Sequence, residues 1–154
     1  MTVIIDTREK KCEHIKQWFD EHGVKYKVHK LDEGDYQIEG EPGISVDRKQ
    51  NLSELSRNLM NKSDHSRFWK EIRRSKEKGT KLYILIEHGY NVKSVEDVAL
   101  WRDIYSGVHG RTLVDEISRI SYSYGVEFLF CDKRQTAKKI IEILMYYEQQ
   151  QILL

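Results

Sequence analysis

Leu82-Tyr83-Ile84-Leu85-Ile86 is an unbroken apolar and aromatic run closed by Glu87, and it constrains the fold more than any other segment. A strand with one face in water alternates polar and apolar residues, so a short continuous run belongs to a strand covered on both faces. Around it the chain switches between two-residue and helical periodicity. Strands are expected at Val3 to Asp6, Val24 to Lys30, Asp35 to Glu39, Ile44 to Lys49, Leu82 to Glu87 and Val126 to Cys131. A first helix is expected from about Lys10 to Glu21, with Cys12, Ile15, Trp18 and Phe19 on one face and Gly23 after it. A second opens at the capping box Asn51-Leu52-Ser53-Glu54. Arg67 to Lys78 reads as a helix capped by Asp64 and stopped by Gly79, with Phe68 and Ile72 as its buried stripe. Further helices are expected from Ser94 to near Arg102, from Thr112 to Tyr124, and from Thr136 to Leu144, the last burying Ile140, Ile141, Leu144 and Tyr147. Strands alternating with helices make an α/β fold with a mixed central β-sheet flanked by helices.

Length and composition narrow the class. At 154 residues, 39% hydrophobic and 33% charged, the chain suits one domain over 1–154 with a substantial core. Neither a signal peptide nor a membrane span is evident, since the apolar start Thr2 to Ile5 is far too short for either. Cys12 and Cys131 form neither a disulfide framework nor a zinc-type cluster, so a reducing, cytoplasmic setting is expected. A formal net charge of +1 excludes a generally cationic nucleic-acid coat and requires any such binding to use a local patch.

The chemistry gathers in Gly34-Asp35-Tyr36 and Val46-Asp47-Arg48-Lys49. Alternation places Asp47 and Lys49 on one strand face, and Ile44, Val46 and Arg48 on the other. A hairpin through Gly40-Glu41-Pro42-Gly43 brings the Asp35 carboxylate beside Asp47. Close carboxylates repel, and a hard cation such as Mg²⁺ or Mn²⁺ relieves that repulsion through oxygen ligation. Such a site suits metal-assisted phosphodiester hydrolysis, with Lys49 either orienting the water or stabilising the developing charge. The plain alternative is a turn-capping Asp35 and an exposed Asp47–Lys49 ion pair.

With Val3-Ile4-Ile5-Asp6-Thr7-Arg8-Glu9, Gly34-Asp35-Tyr36 and Asp47-Arg48-Lys49 in that order, the chain resembles the nuclease domain of the XPF-type structure-specific endonucleases, within the PD-D/E-x-K nuclease superfamily. The resemblance implies a restriction-endonuclease-like fold and a Mg²⁺- or Mn²⁺-dependent DNA endonuclease of repair or recombination, acting on flaps, forks or junctions. It implies Asp35, Asp47 and Lys49 as catalytic residues, Asp6, Asp35 and Asp47 as metal ligands, and Arg8, Glu9 and Arg48 as supporting residues. From the residues alone, Asp6 equally suits a helix cap, and Arg48, turned away from Asp47, suits a structural or substrate-facing role. Two positions depart from the family pattern. Asp47 replaces a glutamate and withdraws its carboxylate by roughly 1.5 Å, one C–C bond. The acid expected four positions beyond the lysine is Ser53, and the adjacent Glu54 either takes its place or only caps a helix.

Arg67, Lys70, Arg74 and Lys78 recur at helical spacing and can track a phosphate backbone, although a solvated helix with basic residues toward its C-terminal end is the commoner explanation of such a pattern. Glu87 and His88 end an apolar strand, where sites often gather, yet a lone histidine there is ordinarily structural. The Ser106 to Arg111 loop has no phosphate-loop signature and reads as a connection. The resemblance also implies a homodimer through the carboxy-terminal half, where Tyr122, Tyr124, Tyr146, Tyr147, Ile143 and Leu144 offer more apolar surface than one sheet can bury. The helix-hairpin-helix and helicase domains of larger relatives are absent from the sequence. A small nuclease of a bacterial or phage-infected cell is the expectation, with a non-catalytic DNA-binding or scaffolding module as the alternative.

Overall fold

The computed structural model describes the backbone of residues 1–61, 66–89 and 91–153, with side chains as far as Tyr146. Six strands form one mixed sheet: β1 Thr2–Ile5, β2 Lys25–Val28, β3 Tyr36–Ile38, β4 Glu41–Lys49, β5 Lys81–Glu87 and β6 Glu127–Cys131. Their spatial order is β2-β1-β3-β4-β5-β6. β3 runs antiparallel to β1 and β4, whereas β1 with β2, β4 with β5 and β5 with β6 are parallel. The apolar run therefore lies between two partners, with Leu82, Ile84, Leu85 and Ile86 almost wholly buried, as a doubly covered strand requires.

Helices cover both faces. Helices α2 (Leu52–Met60), α3 (Arg67–Lys78) and α5 (Gly110–Tyr124) pack Leu55, Ile72 and Ile117 against Leu82, Ile84 and Ile86. Helices α1 (Glu13–Glu21) and α6 (Thr136–Leu153) pack Ile15, Phe19, Ile140 and Leu144 against Val3, Ile5, Val46 and Leu85. The expected α/β sandwich of a mixed sheet between helices is what forms.

Several boundaries differ from expectation for local reasons. β4 already begins at Glu41, so the hairpin closes at Glu39-Gly40 and Pro42 sits inside the strand near its start. α1 begins at Glu13, with Cys12 at its N-cap and Lys11 at a positive φ of 51°. Ser66 caps α3 by accepting from Trp69 N at 3.3 Å, and Asp64, the expected cap, lies outside the described residues. The helix expected from Ser94 to near Arg102 is a single turn, α4, Val95–Val98. The buried Asp103 draws the following residues into a loop, its carboxylate accepting from Tyr105 N at 3.0 Å and Ser106 Oγ at 2.7 Å. α6 runs past Leu144 to Leu153, and its Tyr147 side chain lies outside the described residues.

Candidate active site

Asp47 and Lys49 leave the face of β4 that α2 and α3 cover, while Arg48 leaves the opposite face. Both side chains are buried, at 6% and 9% exposure, so the exposed surface ion pair is not what forms. Lys49 Nζ stands 3.1 Å from Asp47 Oδ2 but off the hydrogen-bonding direction, and that buried oxygen accepts no hydrogen bond. Burial alone would lower the Lys49 pKa, but Asp47 and Asp35 outweigh it and raise it, so the lysine stays protonated.

Asp35 enters from the loop before β3. Its amide donates to Val46 O at 2.8 Å, and its Oδ2 accepts from Arg48 N at 2.8 Å. Burial first, then the neighbouring Asp47 and Glu9 carboxylates, push its pKa well above the usual carboxylate value. The turn needs Gly34, which takes φ +73° and lies so close to β4 that a Cβ would stand 2.1 Å from Ser45 Oγ.

Helix α3 holds this loop in place. Glu71 accepts from Gly34 N, Arg74 Nε pairs with Glu33 at 3.1 Å, and Lys78 Nζ reaches Glu33 at 2.9 Å and Asp32 at 3.3 Å. Two of the four basic residues expected to track phosphate thus bind the protein's own acidic loop. Arg67 lines the cavity above the carboxylates, and Lys70 lies on the exposed side of the helix. Glu71 was not anticipated from sequence. Its pKa is pushed up to about 8 by burial and then by Asp47. The available signal was its position beside Phe68 and Ile72, which puts an acid on the helix stripe that must be covered.

The cavity has a volume of about 350 Å³ and is lined by Asp35, Asp47, Lys49, Glu54, Asn58 and Glu71 among others. Glu54 caps and lines at once, with Oε2 accepting from Gln50 N at 2.9 Å. Ser53 instead donates to Asp103 Oδ1 at 3.3 Å. Asp6 also borders the cavity but uses both oxygens within the protein, accepting from Arg8 N and Nε at 3.1 and 2.9 Å and from Leu31 N at 2.7 Å. Burial tends to raise its pKa, and these hydrogen bonds outweigh that and lower it.

Behind the sheet, Arg48 is 1% exposed and bridges two buried acids. Its Nε and Nη2 donate to Glu9 at 2.8 and 2.9 Å, and Nη1 donates to Glu87 at 3.0 Å. His14 Nε2 completes the cluster 2.9 Å from Glu87. Arg48 is thus structural, and Glu87 is its partner. His88 is half-buried, and burial lowers its pKa.

Among the described residues no three His, Cys, Asp or Glu side chains form a metal-holding group. The Asp35–Asp47 pair nevertheless fits a hard cation that shares its shell with water and phosphate, because the donors are all oxygen and the buried Asp47 Oδ2 accepts no hydrogen bond. A model of the ERCC4 domain matches residues 5–144. The chain belongs to the ERCC4 domain family. The chain is similar in structure to XPF from Aeropyrum pernix, with a TM-score of 0.71 at 19% identity, covering 96% of this chain and 65% of that one. XPF from Aeropyrum pernix in complex with DNA matches with a TM-score of 0.69 at 20% identity, covering 97% and 66%. This chain thus spans just under two thirds of those chains, and at such identity the likeness establishes the XPF nuclease fold. Among curated proteins none matches in sequence. In this ERCC4 domain Asp35, Asp47 and Lys49 line one cavity. No helix among the described residues is long and apolar enough to cross a membrane.

Proposed function

We propose that this ERCC4 domain is a metal-dependent DNA endonuclease hydrolysing phosphodiester bonds, with branched or flap DNA of repair or recombination as its substrate class. The observation that carries the reading is the buried Asp47 Oδ2 without a hydrogen bond, beside an Asp35 whose ionisation burial and Asp47 oppose. Two crowded carboxyls of this kind are stabilised by a divalent cation. Asp35 and Asp47 would hold Mg²⁺ or Mn²⁺, which neutralises charge developing on the phosphate and lowers the pKa of an attacking water.

The chain's own residues do the rest. Lys49, kept protonated by its acidic neighbours, supplies fixed positive charge and does not act as a base. The Arg48 amide orients the Asp35 carboxylate, and the Glu9–Arg48–Glu87 cluster fixes the strand between the two reacting side chains. Asp6, with its oxygens engaged, anchors Arg8 and the Leu31 amide beside the site. The DNA complex of the Aeropyrum pernix XPF supports nucleic acid as the substrate. Retention of both carboxylates and the lysine in a cavity favours an enzyme over a scaffolding module.

The test is cleavage of labelled duplex, single-stranded, flap and four-way-junction DNA with Mg²⁺, Mn²⁺ or EDTA. Activity should vanish in EDTA, and Asp35→Asn and Lys49→Ala should each lose about 100-fold or more with unchanged circular dichroism. Full activity in chelator, or cleavage persisting in both variants, overturns the assignment.

A further inference from the structure

Leu100, Ile104 and Tyr105 are 94%, 85% and 83% exposed, so three of the eight large hydrophobic side chains exposed among the described residues crowd into six consecutive positions. The loop that carries them is not a slack connection. It folds over the buried Asp103, whose carboxylate accepts from Tyr105 N, Ser106 Oγ and Ser53 Oγ. Asp103 N donates to Val108 O at 2.9 Å, and Gly107, at φ +74°, donates back to Asp103 O at 2.8 Å. A backbone tied this closely holds apolar side chains in water at a free-energy cost, and such a cluster marks a surface that a partner covers.

Charge and position name the partner. Among residues 99–111 the exposed charged side chains are Arg102 and Arg111, with His109 also exposed, whereas the one acid, Asp103, is turned inward. Apolar groups set among cations suit nucleic acid, in which phosphates run beside the flat faces of bases. The Ser53 hydroxyl that donates to Asp103 at 3.3 Å is next in the chain to Glu54, which lines the cavity of the carboxylate pair, so the loop is moored beside that cavity. An unbroken duplex hides its base faces in the stack, whereas a branch leaves the face of the last base pair bare. Aromatic rings stack on such faces, and isoleucine and leucine lie against them.

We propose that the loop from Leu100 to Tyr105 recognises branched DNA, with Tyr105 stacking on the base pair exposed at the branch and Ile104 and Leu100 covering its edge. The inference rests on the endonuclease reading above and says how that site would find a branch. It is tested by binding, at low salt with Ca²⁺ in place of Mg²⁺, to a forked DNA carrying 2-aminopurine in the branch pair and to a duplex of the same length. Wild-type protein should bind the fork more tightly than the duplex by anisotropy and change the 2-aminopurine emission. Tyr105→Ala, at an exposed position and with unchanged circular dichroism, should lose about fivefold or more in fork affinity, the lower end of base–aromatic stacking, and stay within about twofold on duplex. Tyr105→Phe, which keeps the ring, should retain both the affinity and the emission change. Fork binding unaffected by Tyr105→Ala, its loss in Tyr105→Phe, or a wild type that does not distinguish fork from duplex overturns the proposal. So does a Tyr105→Ala protein that binds the fork normally but sediments as a smaller species, which assigns the surface to a second copy of the chain. These readouts need no cleavage, so a wild type that binds the fork as expected yet cuts no substrate with Mg²⁺ or Mn²⁺ overturns the endonuclease reading and leaves branch binding standing.

Discussion

Replacing Glu71 by glutamine isolates the electrostatic strain of the site. The folded protein raises this carboxyl from the ordinary 4.5 to about 8, chiefly by burial and then through Asp47. A raised carboxyl contributes stability fully below pH 4.5 and loses it as pH rises through about 8. At about 1.4 kcal/mol per pKa unit, the gap corresponds to an upper bound of about 5 kcal/mol, most of it lost by pH 7.5. Relaxation around the site reduces this, and about 2–4 kcal/mol is the working figure. Glutamine has the same shape, keeps an oxygen for the Gly34 amide, and does not ionise in the unfolded chain. Glu71→Gln should therefore be more stable than wild type at pH 7.5 without divalent ions, raising Tm by roughly 5–10 °C for a chain this size. Near pH 4.5 the two proteins should melt together. Thermal unfolding at pH 4.5, 6, 7 and 8 in chelator reads both quantities. A wild-type protein as stable as the variant at pH 8, or a stability gap constant across the pH series, refutes the reasoning.

Three other expectations follow from the same geometry. Asp47→Glu restores the residue of the family pattern and should retain metal-dependent cleavage, and an inactive but folded variant would mean that the cavity is built around the shorter side chain. Arg48→Met leaves Glu9 and Glu87 buried without their cation and should cost about 3–5 kcal/mol in urea unfolding; a loss under about 1 kcal/mol would mean that the cluster contributes little. We expect a dimer by sedimentation at micromolar concentration through Tyr122 and Tyr146, which are 94% and 58% exposed, whereas Ile143 and Leu144 are already in the core. A monomer that still cleaves DNA at that concentration removes dimerisation as a requirement for activity.

Local periodicity made the strands readable. The Leu82 to Ile86 run identified a covered strand, and the two-residue period alone put Asp47 and Lys49 together and Arg48 opposite. Capping was readable for α2, where Asn51 Oδ1 accepts from Glu54 N at 2.8 Å, because the interacting groups are three residues apart. The same reasoning failed after Val98, where Asp103 N donates to Val108 O at 2.9 Å and Arg102 forms a bridge with His109, pairings with a later segment that local periodicity does not show.

What only the tertiary structure decided is which distant side chain meets which. Glu71 is 36 positions from Asp35 yet shares its cavity, Glu87 meets Arg48 across two paired strands, and Arg74 and Lys78 turn to Glu33 instead of to solvent. A sequence carries the period of each element but not the rotation and placement of one element over another. Those are set when α3 and α2 close over one sheet face, and burial then converts ordinary acids and a lysine into a strained site. The residues of the site were written locally, whereas their strain arises from the packing that removes water from between them.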